Sequence, residues 1–149
     1  MSQPTLTRET YIRATAAQVW QALTDPALTA RYAFGRVQST WHPSEAIVYL
    51  APDGTTRVLE GTLLEVEPRR RLVLLCRFLG DPQLAADRPH RETFAIEELG
   101  GICRLTATFD QYAPDSPAYR ACAHGMAVTG SSLKSLLETG EALAFPTPG

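Results

Sequence analysis

The segment from Ala118 to Leu143 constrains the fold most, because one face of it repeats at helical spacing along most of its length. Apolar and small residues recur there every three or four positions, which predicts one long helix. The recurring residues are Tyr119, Cys122, Met126, Gly130, Leu133, Leu137 and Gly140. Small residues (Ala123, Ala127 and Gly130) mark the first half of the segment, and leucines mark the second half. The first half can therefore lie close to a neighbouring element, or leave space beside it.

The start of the chain has the pattern of one strand followed by two short helices. Alternating residues from Thr5 to Ile12 predict a strand with one solvated face. Thr15 followed by Gln18 is a capping-box arrangement, which predicts that a helix begins here. This helix stops before Pro26, and residues 27–32 predict a second short helix.

The middle of the chain has the pattern of six further strands. From Arg36 to Gln111, alternating apolar residues are divided by turn residues, and residues 81–90 form a polar, proline-bearing loop. The fold class predicted is α+β: a curved seven-stranded antiparallel sheet wrapped around the long C-terminal helix. The two short helices lie between strands 1 and 2.

The composition is that of a globular protein with one core. The 149 residues are 44% hydrophobic and 20% charged, with a formal net charge of -2. This size and balance predict a single domain spanning residues 1–149. The small net charge, the absence of a long apolar stretch and the lack of a signal-peptide pattern predict no nucleic-acid partner, no membrane association and a cytoplasmic location.

Neither the cysteines nor the histidines have the spacing of a metal site. The cysteines lie far apart among apolar neighbours and are expected to be buried, whereas each histidine is expected at the surface or in a loop. The residues concerned are Cys76, Cys103, Cys122, His42, His90 and His124. Because phosphate-binding glycine loops and nucleophile motifs are also lacking in the sequence, we predict no metal and no cofactor.

Strand alternation predicts which side chains face the interior, since residues i and i+2 share a face. Taking Leu64 and Val66 as inward brings Thr62 and Glu60 to the same face. The same parity turns Glu92 inward with Phe94, and Leu105 inward with Ala107, Phe109 and Gln111. The predicted lining is apolar with two carboxylates and one amide. Both carboxylates lie near strand ends, where contact with solvent or an arginine is the alternative.

Several local motifs resemble those of one known family. They are Thr24-Asp25-Pro26 with Arg31-Tyr32 and Phe34-Gly35, Trp41 with Pro43, the run from Glu60 to Leu72, and the run from Gly125 through Ser131 to Glu138. The chain resembles the activator-of-heat-shock-protein-90-ATPase homologue (AHSA-like) family of the START-like (SRPBCC) superfamily. This resemblance covers almost the whole chain and implies a helix-grip fold. Most of the motifs specify turns and packing, so the resemblance is specific for fold and says little about function.

Three positions depart from the family pattern. The family usually has Trp where this chain has Met126, and often an aromatic residue where it has Cys76. If both positions face a cavity, as the family pattern implies, the pocket is wider or more adaptable than usual. Ser44 replaces the glycine expected after Pro43, which places the local turn in question.

The leading functional hypothesis is a protein that binds a small hydrophobic or aromatic molecule between the sheet and the C-terminal helix. The predicted ligand-binding residues are Glu60, Thr62, Leu64, Glu92, Phe94, Leu105, Ala107, Phe109 and Gln111 from alternation, together with Leu74, Cys76, Phe78, Cys122, Met126, Gly130 and Leu133. A second hypothesis, implied by the resemblance to the START-like superfamily, is a cyclase-like, aromatase-like or hydrolytic enzyme in which Glu60, Glu92 and Gln111 transfer protons. A third, regulation of a chaperone ATPase, is implied by the family name alone. A homodimer paired through the first strand is a further alternative.

Overall fold

The computed structural model describes residues 5–143 and consists of one antiparallel sheet and four helices. The strands are β1 (Leu6–Ile12), β2 (Arg36–Ser39), β3 (Ala46–Leu50), β4 (Arg57–Glu67), β5 (Arg71–Phe78), β6 (His90–Glu98) and β7 (Cys103–Asp110). The helices are α1 (Ala16–Thr24), α2 (Pro26–Tyr32), α3 (Pro82–Ala85) and α4 (Pro117–Thr139). The predicted order of a strand, two short helices, six strands and a long helix is confirmed.

Local sequence signals place α1 and α2. The Thr15 hydroxyl accepts a hydrogen bond from the Gln18 N–H at 3.1 Å, and the Gln18 side chain accepts one from the Thr15 N–H at 2.8 Å. This reciprocal pair is the predicted capping box. Asp25 ends α1 and also caps α2, where its carboxylate accepts from the Ala27 N–H at 2.9 Å. One residue therefore both stops a helix and starts the next.

The seven strands form a curved sheet in the order β1-β7-β6-β5-β4-β3-β2. Every neighbouring pair is antiparallel, and β1 closes onto β7 with Leu6 opposite Phe109 and Ile12 opposite Cys103. Strand β1 and strand β2 are the two edges. The helix α4 packs across β1 and against α1 and α2, which completes the predicted helix-grip arrangement.

The buried side chains form two groups on the inner face of the sheet. The larger group joins the sheet to α1 and to the second half of α4, and it includes Val19, Leu63, Leu72 and Leu133. The smaller group lies at the first half of α4 and consists of Phe109, Tyr112, Ala118, Cys122 and Met126. The leucine-rich half of α4 is thus the half that fills the main core.

Two segments differ from the sequence-based expectation. Residues 81–90 contain the short helix α3, which begins because Asp81 accepts a hydrogen bond from the Gln83 N–H and Pro82 occupies the first turn. The helix α4 ends at Thr139 with Gly140 as a left-handed cap, before the predicted end at Leu143. Residues 1–4 and 144–149, which the single-domain prediction includes, lie outside the described residues.

Candidate functional site

A cavity of about 440 Å³ lies between the inner face of the sheet and α4. Its volume is within the range of about 300–1,000 Å³ that small-molecule sites occupy. The wall on the helix side is built mainly from small or flexible residues of the first half of α4, namely Ala121, Cys122, Gly125, Met126, Thr129 and Gly130. These side chains are too short to fill the space that the curved sheet leaves beneath them.

Three strands turn the predicted side chains towards this cavity. Phe78 of β5, Glu92 and Phe94 of β6, and Leu105, Ala107 and Phe109 of β7 all lie in its wall, as do Cys122, Met126, Gly130 and Leu133 of α4. Leu74 and Cys76 belong to the same inner core, with 2% and 0% exposure, but do not reach the cavity surface. The structure therefore brings ten of the predicted residues together around one space.

The expectation for β4 is corrected, because this strand is turned the other way before its bulge. The pairing of β4 with β5 shifts register between Leu63 and Glu65, so two consecutive residues follow Leu63 before Val66 returns to the core. Counting back from Val66 in steps of two crosses this bulge and reaches the opposite face. Leu59 and Leu63 are the buried inward residues of β4.

Three predicted residues consequently lie outside the cavity. Glu60 is held on the other face by Arg77, whose guanidinium donates to its carboxylate at 2.8 Å. Thr62 is exposed on that face, and Leu64 is 44% exposed. Gln111 is also outside the cavity, because it follows the end of β7 in a left-handed conformation (φ 65°) and its side chain is exposed.

Glu92 in the cavity wall contacts a buried histidine, His90, which the sequence did not predict to be part of the site. His90 is 0% exposed at the first position of β6, and its Nε2 lies 2.8 Å from Glu92 Oε2. The prediction that His90 is a surface or loop histidine is therefore wrong. Strand parity could have found it, since His90 stands two residues before the inward Glu92, but Pro89 suggested that the loop continued.

Two cysteine thiols lie next to the same histidine. Cys76 Sγ lies 3.8 Å and Cys122 Sγ 3.9 Å from His90 Nε2. Burial, followed by the negative charge of Glu92, raises the pKa of Cys76 well above its ordinary value. Burial also raises the pKa of Cys122 to about 12. Both thiols are therefore neutral at physiological pH, and all three cysteines are buried as predicted.

Aromatic side chains line one side of the cavity. Phe34 stacks on Tyr49 with ring centroids 4.9 Å apart and meets Phe78 edge-on at 5.6 Å. Phe34 is 49% exposed, so it lies where the cavity opens to solvent. Phe34 and Tyr49 were not predicted as site residues, because they come from the bend after α2 and from β3, which alternation in the central strands does not cover.

Within residues 5–143, no helix is long and apolar enough to cross a membrane. Comparison with protein families matches residues 13–138 to the model described as Activator of Hsp90 ATPase homolog 1-like protein. A search of curated proteins found no match.

Solved structures with the same fold include three from bacteria. A Mesorhizobium loti protein is 23% identical, with a TM-score of 0.75 over 90% of this chain and 96% of the other. The Aha1 dimer from Colwellia psychrerythraea is 14% identical, with a TM-score of 0.75 over 93% and 99%. CalU16 from Micromonospora echinospora is 17% identical, with a TM-score of 0.76 over 98% and 78%. At these identities the likeness concerns the fold.

Proposed function

Since the chain belongs to the family of Activator of Hsp90 ATPase homolog 1-like proteins, we propose that it binds one small apolar or aromatic molecule between the sheet and α4. The observation that carries this proposal is the cavity of about 440 Å³ in the middle of the fold. Because the cavity opens to solvent, its apolar wall is in contact with water while the site is empty, which is unfavourable. A bound molecule restores the contacts that the wall residues lack.

The chemistry of the wall supports an apolar or aromatic ligand. Most of the wall is hydrocarbon or aromatic ring, including Phe78, Phe94 and Phe109. Apolar area supplies affinity in such sites, and a few polar groups fix the orientation of the ligand. Glu92 is 8% exposed and places a carboxylate at the wall, so a ligand with a hydroxyl or amine group would be oriented by it.

The helix wall supports a cavity that adapts to its ligand. A Cβ atom added at Gly125, which lies in the cavity wall, would meet no atom within 4 Å, so there is room for a side chain at this position of α4. Met126 lies beside it, and an unbranched thioether side chain can adjust to ligands of different shape. Of the small residues noticed in the sequence, Gly130 borders the cavity and also lies close to β1, since a Cβ atom there would be 3.4 Å from Thr10 Oγ1, whereas Ala123 and Ala127 are not part of the wall.

Binding of N-phenyl-1-naphthylamine, a neutral aromatic dye that fluoresces in apolar surroundings, tests this proposal. Met126→Trp introduces a large ring into the cavity and should weaken dye binding by at least about tenfold, or 1.4 kcal/mol. Leu64→Trp is the matched control, because it adds the same ring at an exposed position outside the cavity. Equal binding by both variants would refute the proposed location. In a separate experiment, native mass spectrometry of protein isolated from its own cell would identify the natural ligand.

Proton transfer to the bound molecule is a second candidate, favoured by the buried His90–Glu92 contact of 2.8 Å. Glu92 lies in the cavity wall and contacts the fully buried His90, and a histidine paired with a carboxylate is a common acid–base arrangement. Of the carboxylates suggested by the sequence, only Glu92 keeps this role, because Glu60 lies on the other face. With a substrate identified, Glu92→Gln should abolish turnover and retain binding, whereas Glu60→Gln should retain both.

Two proposals about partners and one about location stay open to test. A homodimer through the free edge of β1 would appear as a doubled mass in native mass spectrometry. Chaperone regulation is supported only by the family description, and an Hsp90 ATPase assay with and without this chain tests it. A cytoplasmic location is a proposal that fractionation of the source cell tests.

A further inference from the structure

Three metal-ligating side chains, those of Cys76, His90 and Glu92, meet at a buried point beside the cavity, and the Cys122 thiol lies close to His90. The Nε2 atom of His90 has Glu92 Oε2 at 2.8 Å, Cys76 Sγ at 3.8 Å and Cys122 Sγ at 3.9 Å. All four residues are at least 92% buried, since the most exposed of them, Glu92, is 8% exposed. Polar groups gathered in an apolar interior need a compensating partner, and a metal ion is one such partner.

The sheet register brings these residues together. Cys76 on β5 lies directly opposite His90 on β6, and Glu92 is the next residue of β6 on the same face. Cys122 approaches from α4, in the half of the helix with small residues. The side chains of Cys76, His90 and Glu92 are therefore fixed by strand pairing, so the geometry of this group is preorganised.

We propose that Cys76, His90 and Glu92 bind a divalent transition metal of the zinc class, with the fourth position open towards Cys122. Thiolate, imidazole and carboxylate are the ligands that Zn²⁺ takes in proteins. The charges also match, because one thiolate and one carboxylate neutralise a divalent cation in a site that excludes water. This inference does not depend on the proposed binding of an organic ligand.

The distances require only small movements. Zinc bonds of about 2.3 Å to sulfur and about 2.0–2.2 Å to nitrogen and oxygen place the ligand atoms of a tetrahedral site roughly 3.3–3.8 Å apart. The distance of 3.8 Å from His90 Nε2 to Cys76 Sγ is already at the upper end of this range. The ligand atoms of Cys76, His90 and Glu92 all lie within 4.8 Å of one another, so Glu92 needs to move by about an ångström or less relative to its two neighbours.

Binding must release at least one proton. The Cys76 thiol gives up its proton as the sulfur–metal bond forms, and His90 must carry its own ring proton on Nδ1 so that Nε2 can donate its lone pair to the metal. The 2.8 Å contact between Nε2 and the Glu92 carboxylate must therefore be replaced by bonds from both side chains to the metal, and within residues 5–143 the Nδ1 proton has no hydrogen-bond partner. A metal ion stabilises the thiolate that burial alone disfavours.

Cobalt(II) added to chelator-treated, reduced protein provides the test. We expect one Co²⁺ per chain, with a thiolate-to-cobalt charge-transfer band and the strong visible absorption of tetrahedral cobalt, and both should disappear when Zn²⁺ is added. Cys76→Ser should remove the charge-transfer band. Cys76→Ser and Glu92→Gln should each weaken metal binding by more than about 100-fold, because even outer-shell changes cost 10–100-fold.

Cys103→Ser is the matched control, since Cys103 is equally buried but belongs to the core near Ile12. It should bind cobalt as the unaltered chain does. Circular dichroism verifies that each variant is folded, and Glu92→Gln provides an independent reading should Cys76→Ser not fold. Failure of the unaltered chain to bind Co²⁺ stoichiometrically, or a charge-transfer band that survives in Cys76→Ser, would overturn the proposal. So would a greater loss of affinity in Cys122→Ser than in Cys76→Ser.

Discussion

Replacement of Gly125 by alanine tests whether there is room for a side chain at this position of α4. Glycine in a helix interior is about 0.8–1.0 kcal/mol less favourable than alanine. A Cβ atom at position 125 would meet no atom within 4 Å, so no clash offsets this gain. We therefore expect Gly125→Ala to raise the free energy of unfolding by about 1 kcal/mol. For a chain of this size, that corresponds to an increase in Tm of roughly 2–4 °C.

Thermal unfolding followed by circular dichroism measures this change. Gly125→Leu extends the test. A larger side chain at this position would enter the cavity, whereas in a filled core the same overpacking would lower the free energy of unfolding by about 1–3 kcal/mol. We expect Gly125→Leu to unfold at no lower temperature than the unaltered chain and to bind N-phenyl-1-naphthylamine more weakly. A Tm lowered by either substitution would refute the argument that the first half of α4 borders open space.

Three further predictions concern the framework around the site. Gly61→Ala should cost about 3 kcal/mol or more of unfolding free energy in a denaturant titration, because its Cβ would lie 2.3 Å from the Leu75 carbonyl oxygen. Ser44 adopts a left-handed conformation (φ 73°), so Ser44→Gly should raise the unfolding free energy by about 0.5–1 kcal/mol in the same assay. Burial raises the pKa of Asp87, but hydrogen bonds, first that from the Ser116 hydroxyl, outweigh it and leave the pKa below its ordinary value of 3.8. Its stabilising contribution is therefore present above that value and lost as pH falls through the folded-state pKa; Asp87→Asn should lower Tm at pH 7 and have a smaller effect near pH 2.

Much of the fold is predictable from the sequence because local chemistry determines it. The Thr15–Gln18 capping box, the Asp25–Pro26 stop and the helical stripe of α4 each depend on residues close together in the chain. The bounds of α4 are less predictable at its end, since apolar residues continue past Gly140. The helix α3 was missed because one capped turn within a polar loop leaves no apolar stripe.

The inward face of a strand is predictable only where the strand is regular. Alternation places Phe94 and Phe109 correctly because β6 and β7 pair without a register shift. In β4 the bulge between Leu63 and Glu65 inverts the parity, so Glu60 was assigned to the cavity and lies on the other face. Leu63 and Leu64 are the same type of residue, so nothing in the residues themselves indicates which of the two turns inward.

The cluster around His90 depends on pairing between strands, which linear spacing does not contain. Cys76 and His90 are 14 residues apart in the chain and become direct partners because β5 and β6 pair at that register. The connection between them contains α3 and is not a tight turn of fixed geometry, so no turn type sets this register in advance. The criterion of metal-ligand spacing applies to ligands on one helix or one tight turn, and it fails for ligands on adjacent strands. For a sheet of this kind, cross-strand neighbours of each inward cysteine are the positions to search, and that search leads to His90 and then to Glu92.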